Sequence, residues 1–198
     1  MNKVGLIGCG AIVAVVLICG LVVAGSYNGL VSADQAVQTQ WAQVENVYQR
    51  RADLIPNLVA TVKGVANFEK ETYTAVTEAR AKVGSIKVTP EMLNDPNAIA
   101  QFQKAQGELG SAISRLLVVS ENYPELKANQ SFLALQSQLE GTENRIAQER
   151  KSFNDAAQSY NTMRLRFPRN IIASIFGFKP KAYFAAVEGS DKAPEVKF

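Results

Sequence analysis

Residues 37–83 read VQTQWAQVENVYQRRADLIPNLVATVKGVANFEKETYTAVTEARAKV, with apolar or small side chains at alternating steps of four and three. The positions are Val37, Trp41, Val44, Tyr48, Arg51, Ile55, Leu58, Val62, Val65, Glu69, Thr72, Val76, Ala79 and Val83; only Arg51, Glu69 and Thr72 among them are polar. This spacing keeps one stripe of a helix turned toward a neighbouring helix, the signature of a packed helical seam. The pattern predicts a helix over residues 28–83, roughly 80 Å long at 1.5 Å per residue. Pro56 lies inside it. Without an amide hydrogen, and with its ring against the preceding turn, it is expected to kink or divide the rod near Ile55. Gly84 and Ser85 are expected to end it.

Upstream, residues 4–25 contain no charged side chain and are rich in Val, Ile and Leu. As a helix they would extend about 33 Å, against roughly 30 Å for the hydrocarbon core of a bilayer. Val22-Val23-Ala24 also has the small-residue look of a signal-peptide cleavage site. The apolar run exceeds the usual 7 to 15 residues of such peptides, which favours a retained anchor. Cys9 and Cys19 both lie in this run, and bulky Ile18 before Cys19 argues against lipidation. Lys3 precedes the run, whereas Asp34 and Glu45 come after it before the first basic residue, Arg50. That asymmetry predicts a cytoplasmic N-terminus and a domain outside the inner membrane, in the periplasm of a two-membrane cell.

Downstream, Thr89-Pro90 and Asp95-Pro96 each place a capping residue before a proline, as helix starts do, and the second opens the next main helix. Ile99, Phe102, Leu109, Ile113, Leu116 and Tyr123 form its stripe, and Tyr123-Pro124 stops it. A third long helix starts near Ala128 or Asn129 and carries Phe132, Leu135, Leu139, Ile146, Phe153, Tyr160 and Phe167 before Pro168. Residues 171–176 form a short apolar segment before Gly177, a C-cap candidate, and from Lys179 the pattern decays into a tail. No alternating strand pattern of useful length occurs, so the fold class is all-α. The first helix is longer than the second and is expected to leave part of its stripe uncovered, a basis for self-association. The domains are expected at 1–25 for the anchor, 26–184 for the helical bundle and 185–198 for a flexible tail.

Composition narrows function. The chain has 198 residues with 21 Lys plus Arg against 18 Asp plus Glu, and Lys3 alone of these lies before residue 26. The part beyond the anchor therefore carries 20 minus 18, or +2, too near neutral for a general nucleic-acid binder. Histidine is absent, which removes the commonest general base and transition-metal ligand. The domain beyond the anchor has no thiol either.

Several runs read together: 27–31 (YNGLV), 41–46 (WAQVEN), 49–59 (QRRADLIPNLV), 121–128 (ENYPELKA) and 140–146 (EGTENRI). With Tyr160-Asn161, Phe167-Pro168 and Phe176-Gly177-Phe178, they make residues 1–184 strongly resemble the LemA family. The resemblance implies a bacterial single-pass membrane protein with an antiparallel four-helix bundle of up-down type, and it implies no reaction and no cofactor. Relatives linked with magnetosome membranes, and neighbouring genes for membrane-bound zinc metalloproteases, suggest scaffolding or adaptor work by association alone.

Three groups of residues are candidates for that work. Arg50, Arg51, Asp53, Pro56 and Asn57 crowd the expected kink, either as a partner-docking surface or, with more weight, as an internal Arg-carboxylate network. Glu121, Asn122 and Tyr123 would fold back near it, with Glu121 pairing Arg50 or Arg51, Asn122 capping and Tyr123 plugging the core. Between residues 156 and 187 there is no acid, while Arg164, Arg166, Arg169, Lys179 and Lys181 alternate with aromatics including Phe176 and Phe178. That composition suits a membrane or partner contact and, equally, a lid over the bundle's open end. The expected function is a non-enzymatic membrane scaffold, homo-oligomeric, with no metal, cofactor or nucleic acid; the alternative is an adaptor for a membrane metalloprotease.

Overall fold

A computed structural model of the chain describes residues 3–65, 68–86 and 88–185. Its regular structure is all helical, with no strand among the described residues. The elements are α1 (Lys3–Lys63), α2 (Lys70–Gly84), a 3-10 turn (Pro90–Asn94), α3 (Pro96–Ser120), α4 (Pro124–Ala128), α5 (Gln130–Leu165) and α6 (Arg169–Ile175). α1 alone is 61 residues, roughly 90 Å.

The stripe is real, but it belongs to two helices. α1 stops at Lys63, Gly64 hydrogen-bonds back to Ala60 and Thr61, and the chain turns before α2. The heptad phase carries across this turn, so spacing alone does not reveal it. Gly64 favours the break because a residue without a side chain forfeits the most backbone freedom inside a helix.

Pro56, expected to kink or divide the rod, interrupts neither α1 nor its stripe. A proline at that position removes the hydrogen bond that residue 56 would give to the carbonyl of Ala52. Arg80, on α2, supplies the missing donor: its Nε reaches the Ala52 oxygen at 2.9 Å. The fault in one helix thus becomes a tie to the next.

Side-chain pairs give the directions of packing. Gln40 meets Glu149 and Arg51 meets Glu143, so α5 runs antiparallel to α1. Arg80 on Ala52 and Lys63 over the Tyr73 ring set α2 antiparallel to α1. Lys82 with Glu108, and the Phe68 ring beside Tyr123, set α3 antiparallel to α2. α5, at 36 residues, is the principal cover of α1. Val37, Trp41, Val44, Tyr48, Arg51, Ile55, Leu58 and Val62 are all buried beneath it and its neighbours. The expectation of an uncovered stripe fails here, because the third long helix is far longer than the second.

Local chemistry sets the ends. The Asp95 carboxylate accepts from the Asn97 amide to open α3, and Asn129 accepts from Phe132 to open α5. α3 ends at Ser120, Pro124 opens the short α4, and Gly177 takes φ +74 beyond α6. Before α2, residues 12–23 of α1 stand out differently: their large apolar side chains are between 40 % and 74 % exposed. One N-terminal helix is therefore long and apolar enough to cross a bilayer, which suggests a membrane anchor.

Residues beyond Lys179 depart most from expectation. The segment through Ala185 is an extended strap laid back over the bundle. Asn161 both donates to the Lys181 carbonyl and accepts from its amide, and Asn154 does the same at Phe184. Ala182 gives its amide to Leu93 at 2.8 Å. The Phe184 ring stacks on Trp41 with an interplanar angle of 17°. Of the expected flexible tail at 185–198, Ala185 is held by Gln103 and Arg150, and the remainder lies outside the described residues.

The Ala52–Arg80 tie is testable by a double-mutant cycle. Arg80→Ala should cost about 1–2 kcal/mol by leaving a carbonyl without its donor. In a Pro56→Ala background, where the helix supplies its own donor, chemical denaturation should show that cost reduced by at least half. An equal cost in both backgrounds would refute the account.

Candidate functional site

The apolar core has two large parts and a small third one beside the apolar span. One holds Val37, Trp41, Val44 and Tyr48 of α1 with Ile99, Phe102, Ile146, Phe153 and Tyr160. The other holds Ile55, Leu58 and Val62 with Leu109, Ile113, Leu116, Phe132 and Leu139. Between them lies a polar layer contributed by three helices: Arg51 of α1, Gln106 of α3, and Thr142 with Glu143 of α5.

Arg51 is 3 % exposed. Its Nη1 meets Glu143 at 2.7 Å, and its Nη2 donates to both the carbonyl and the side-chain oxygen of Gln106. The guanidinium also lies 5.2 Å from the Tyr48 ring centroid. The Gly110 backbone lies alongside it, at a distance where a Cβ would make an ordinary contact, 3.7 Å, with Nη1. Burial pushes the Tyr48 hydroxyl above its ordinary pKa, against the pull of Arg150 and Arg51. A buried cation with partners on two other helices disfavours any slip in register, since a slip would strand the charge.

The neighbouring residues take different places. Arg50, Asp53, Pro56 and Asn57 are exposed. Asp53 accepts from Gln49 one turn earlier, and the Asn57 carbonyl accepts from Thr61. Glu121 does not pair with Arg50 or Arg51. It caps α3 at the far end of the second core, about four turns from Gln106, and the counter-charge comes instead from α5. Asn122 is exposed and follows Glu121 at the end of α3, its amide donating back to the Val119 carbonyl at 3.1 Å. Tyr123 is half-buried, its ring 4.8 Å from Phe68.

At the end next to the apolar span, α6 presses Ile172 and Ala173 onto Leu30 of α1. Phe176 and Phe178 flank Tyr27 with centroids at 4.9 and 5.7 Å. The Arg169 guanidinium lies along Gly29, where a Cβ would come within 3.7 Å. Arg164 is half-buried, Arg166 and Lys179 are exposed. Lys181 is not a free surface charge. It is 7 % exposed, pairs with Asp34 at 2.6 Å and lies over the Tyr160 ring. Burial, with Asp34 adding to it, pushes the Tyr160 hydroxyl up to about 12, and that hydroxyl donates to the Lys179 carbonyl at 2.9 Å.

An open groove of about 810 Å³ runs beside the polar layer, between α3 and α5, past Lys104, Gly107, Gly110, Glu143 and Arg150. No group of three His, Cys, Asp or Glu residues able to hold a metal occurs among the described residues. What the arrangement provides is shape and charge.

Sequence reasoning passed over Gln106, Glu143, Arg80 and the amides of Asn154 and Asn161. Glu143 lay within the EGTENRI run, and Asn161 beside Tyr160, so the motifs held the signal without the partner. Glu143→Ala should lower stability by about 1–2 kcal/mol, modest because half of Glu143 lies in water. Arg51→Met combined with Glu143→Ala should be the more stable of the two variants, since it removes the stranded charge. Urea denaturation decides, and a double variant weaker than the single would contradict the layer's role.

Comparison with known proteins finds relatives of two names. The chain is 29 % identical over 181 residues to Magnetosome protein MamQ 2 of Paramagnetospirillum magneticum, covering 83 % of this chain and 66 % of that protein. It is 29 % identical over 174 residues to Magnetosome protein MamQ of Magnetospirillum gryphiswaldense, covering 80 % and 64 %. It thus spans just under two thirds of the length of these magnetosome relatives. Protein LemA of Metamycoplasma hominis is 24 % identical over 164 residues, covering 83 % and 71 %. None of these names denotes a reaction. The LemA family pattern matches residues 40–198, and the chain belongs to the LemA family.

Proposed function

We propose that this protein is a non-enzymatic scaffold tethered to the bacterial envelope, with the bundle as its working surface. The observation that carries the reading is the continuity of α1. One helix passes from an exposed apolar span into the buried seam of the bundle, which holds the outer faces at a set height and angle above the lipid. The four long helices read as an up-down bundle, supported by the antiparallel pairs between α1, α2, α3 and α5. The magnetosome names of two relatives support a task at a membrane. Lys3 against Asp34 and Glu45 supports a cytoplasmic N-terminus and an extracytoplasmic bundle.

With the α1 stripe covered, contacts between copies fall to the span and to the outer faces. The detergent-solubilised full chain should run as a single homo-oligomer by light scattering. A monomer that gains mass only when a membrane metalloprotease is added would reject the scaffold and favour an adaptor.

A further inference from the structure

The end of the bundle nearest the span is its most apolar exposed surface. Leu165, Phe167, Ile171, Ile175 and Phe176 are all exposed, Phe167 at 81 %. Beyond the span, the other exposed large apolar side chains among the described residues are Tyr27, Val118, Leu133 and Tyr183. Of these, Tyr27 belongs to the same end, because Phe176 packs its edge at 4.9 Å. The cluster has a cause. α6 turns Ile172 and Ala173 inward onto Leu30, and this leaves Ile171 and Ile175, one turn apart, facing out.

Height decides what faces this surface. Tyr27 lies four residues beyond Val23, the last large exposed apolar residue of the span, a rise of about 6 Å. Because α1 is one unbroken helix, a bilayer around residues 4–25 places its boundary beside Tyr27 and Phe176. Aromatic rings are favoured at that depth.

Charge agrees with depth. The exposed apolar side chains alternate with Arg166 and Arg169, which line a hollow of about 320 Å³ with Ser159 and Thr162. No Asp or Glu occurs from residue 156 to 187. The nearest acid on α1, Asp34, is already occupied by Lys181. A positive hollow ringed by unburied apolar groups, level with a membrane boundary, complements an anionic lipid surface.

We propose that residues 165–176 form an interfacial foot: the apolar side chains enter the acyl boundary, and Arg166 and Arg169 hold the phosphate of an anionic phospholipid. The proposal rests on the membrane-anchored reading and adds a second, lipid-selective contact to it. Lys181 and Phe178, also candidates from sequence, are internal struts of the bundle and are not part of the foot.

Tryptophan quenching in the full-length protein, reconstituted into bilayers with acyl-brominated lipids, tests it. Native Trp41, buried and about 24 Å past the span, gives an unquenched baseline and reports folding. Ile175→Trp should be quenched, as should Leu17→Trp in the span. Quenching at Ile175→Trp should be stronger with brominated phosphatidylglycerol than with brominated phosphatidylcholine. Arg166→Gln and Arg169→Gln should each remove roughly fivefold of that preference. Quenching at Leu17→Trp but not at Ile175→Trp overturns the foot and leaves the anchor standing. Quenching at neither position overturns the anchor itself. Equal quenching by the two lipids overturns the assignment of Arg166 and Arg169 to an anionic headgroup.

Discussion

A helix in lipid has to satisfy its backbone polar groups internally, and a helix in water has to cover its apolar stripe. α1 meets both demands without a break. Its residues 12–23 expose valine, isoleucine and leucine; its second part turns a single stripe inward. The other elements follow from covering that stripe. α5 runs back along it, α2 and α3 close the remaining side, and α6 seals the end by the span. A rod whose first part suggests a membrane anchor ties the place of that anchor to the place of the bundle.

Stability and specificity come from different residues. The two apolar clusters supply most of the burial, yet aliphatic and aromatic side chains alone would tolerate small slips between helices. The Arg51–Gln106–Glu143 layer does not, because any slip leaves a buried guanidinium without partners. The strap works by the same logic. Asn154 and Asn161 each pair with both the amide and the carbonyl of one strap residue, which seats Phe184 on Trp41 and Lys181 on Asp34. A short extended segment is thereby made part of the core.

Much of this was legible. Heptad spacing marked every buried stripe residue from Val37 to Val62, and prolines and asparagine marked the starts of α3 and α5. The break at Gly64 was not legible, since the stripe keeps its phase through the turn. Nor was the survival of the helix at Pro56, where the carbonyl freed at Ala52 accepts from Arg80, a residue 28 positions further along the chain. Charge pairing was hidden for a similar reason: Arg51 on a seam needs a carboxylate, while choosing Glu143 over Glu121 requires knowing which helix lies across. The strap was missed because side-chain amides, with no periodicity, hold it in place.

The account stands or falls on α1 being a single helix where lipid gives way to the bundle. Spin labels at Leu17→Cys and Gln35→Cys, in full-length protein with Cys9 and Cys19 replaced by serine and reconstituted in nanodiscs, bracket that junction. An unbroken helix predicts a narrow distance distribution centred near a backbone separation of about 27 Å. A broad distribution, or one centred well below that separation, would show a hinge at the junction and contradict the account.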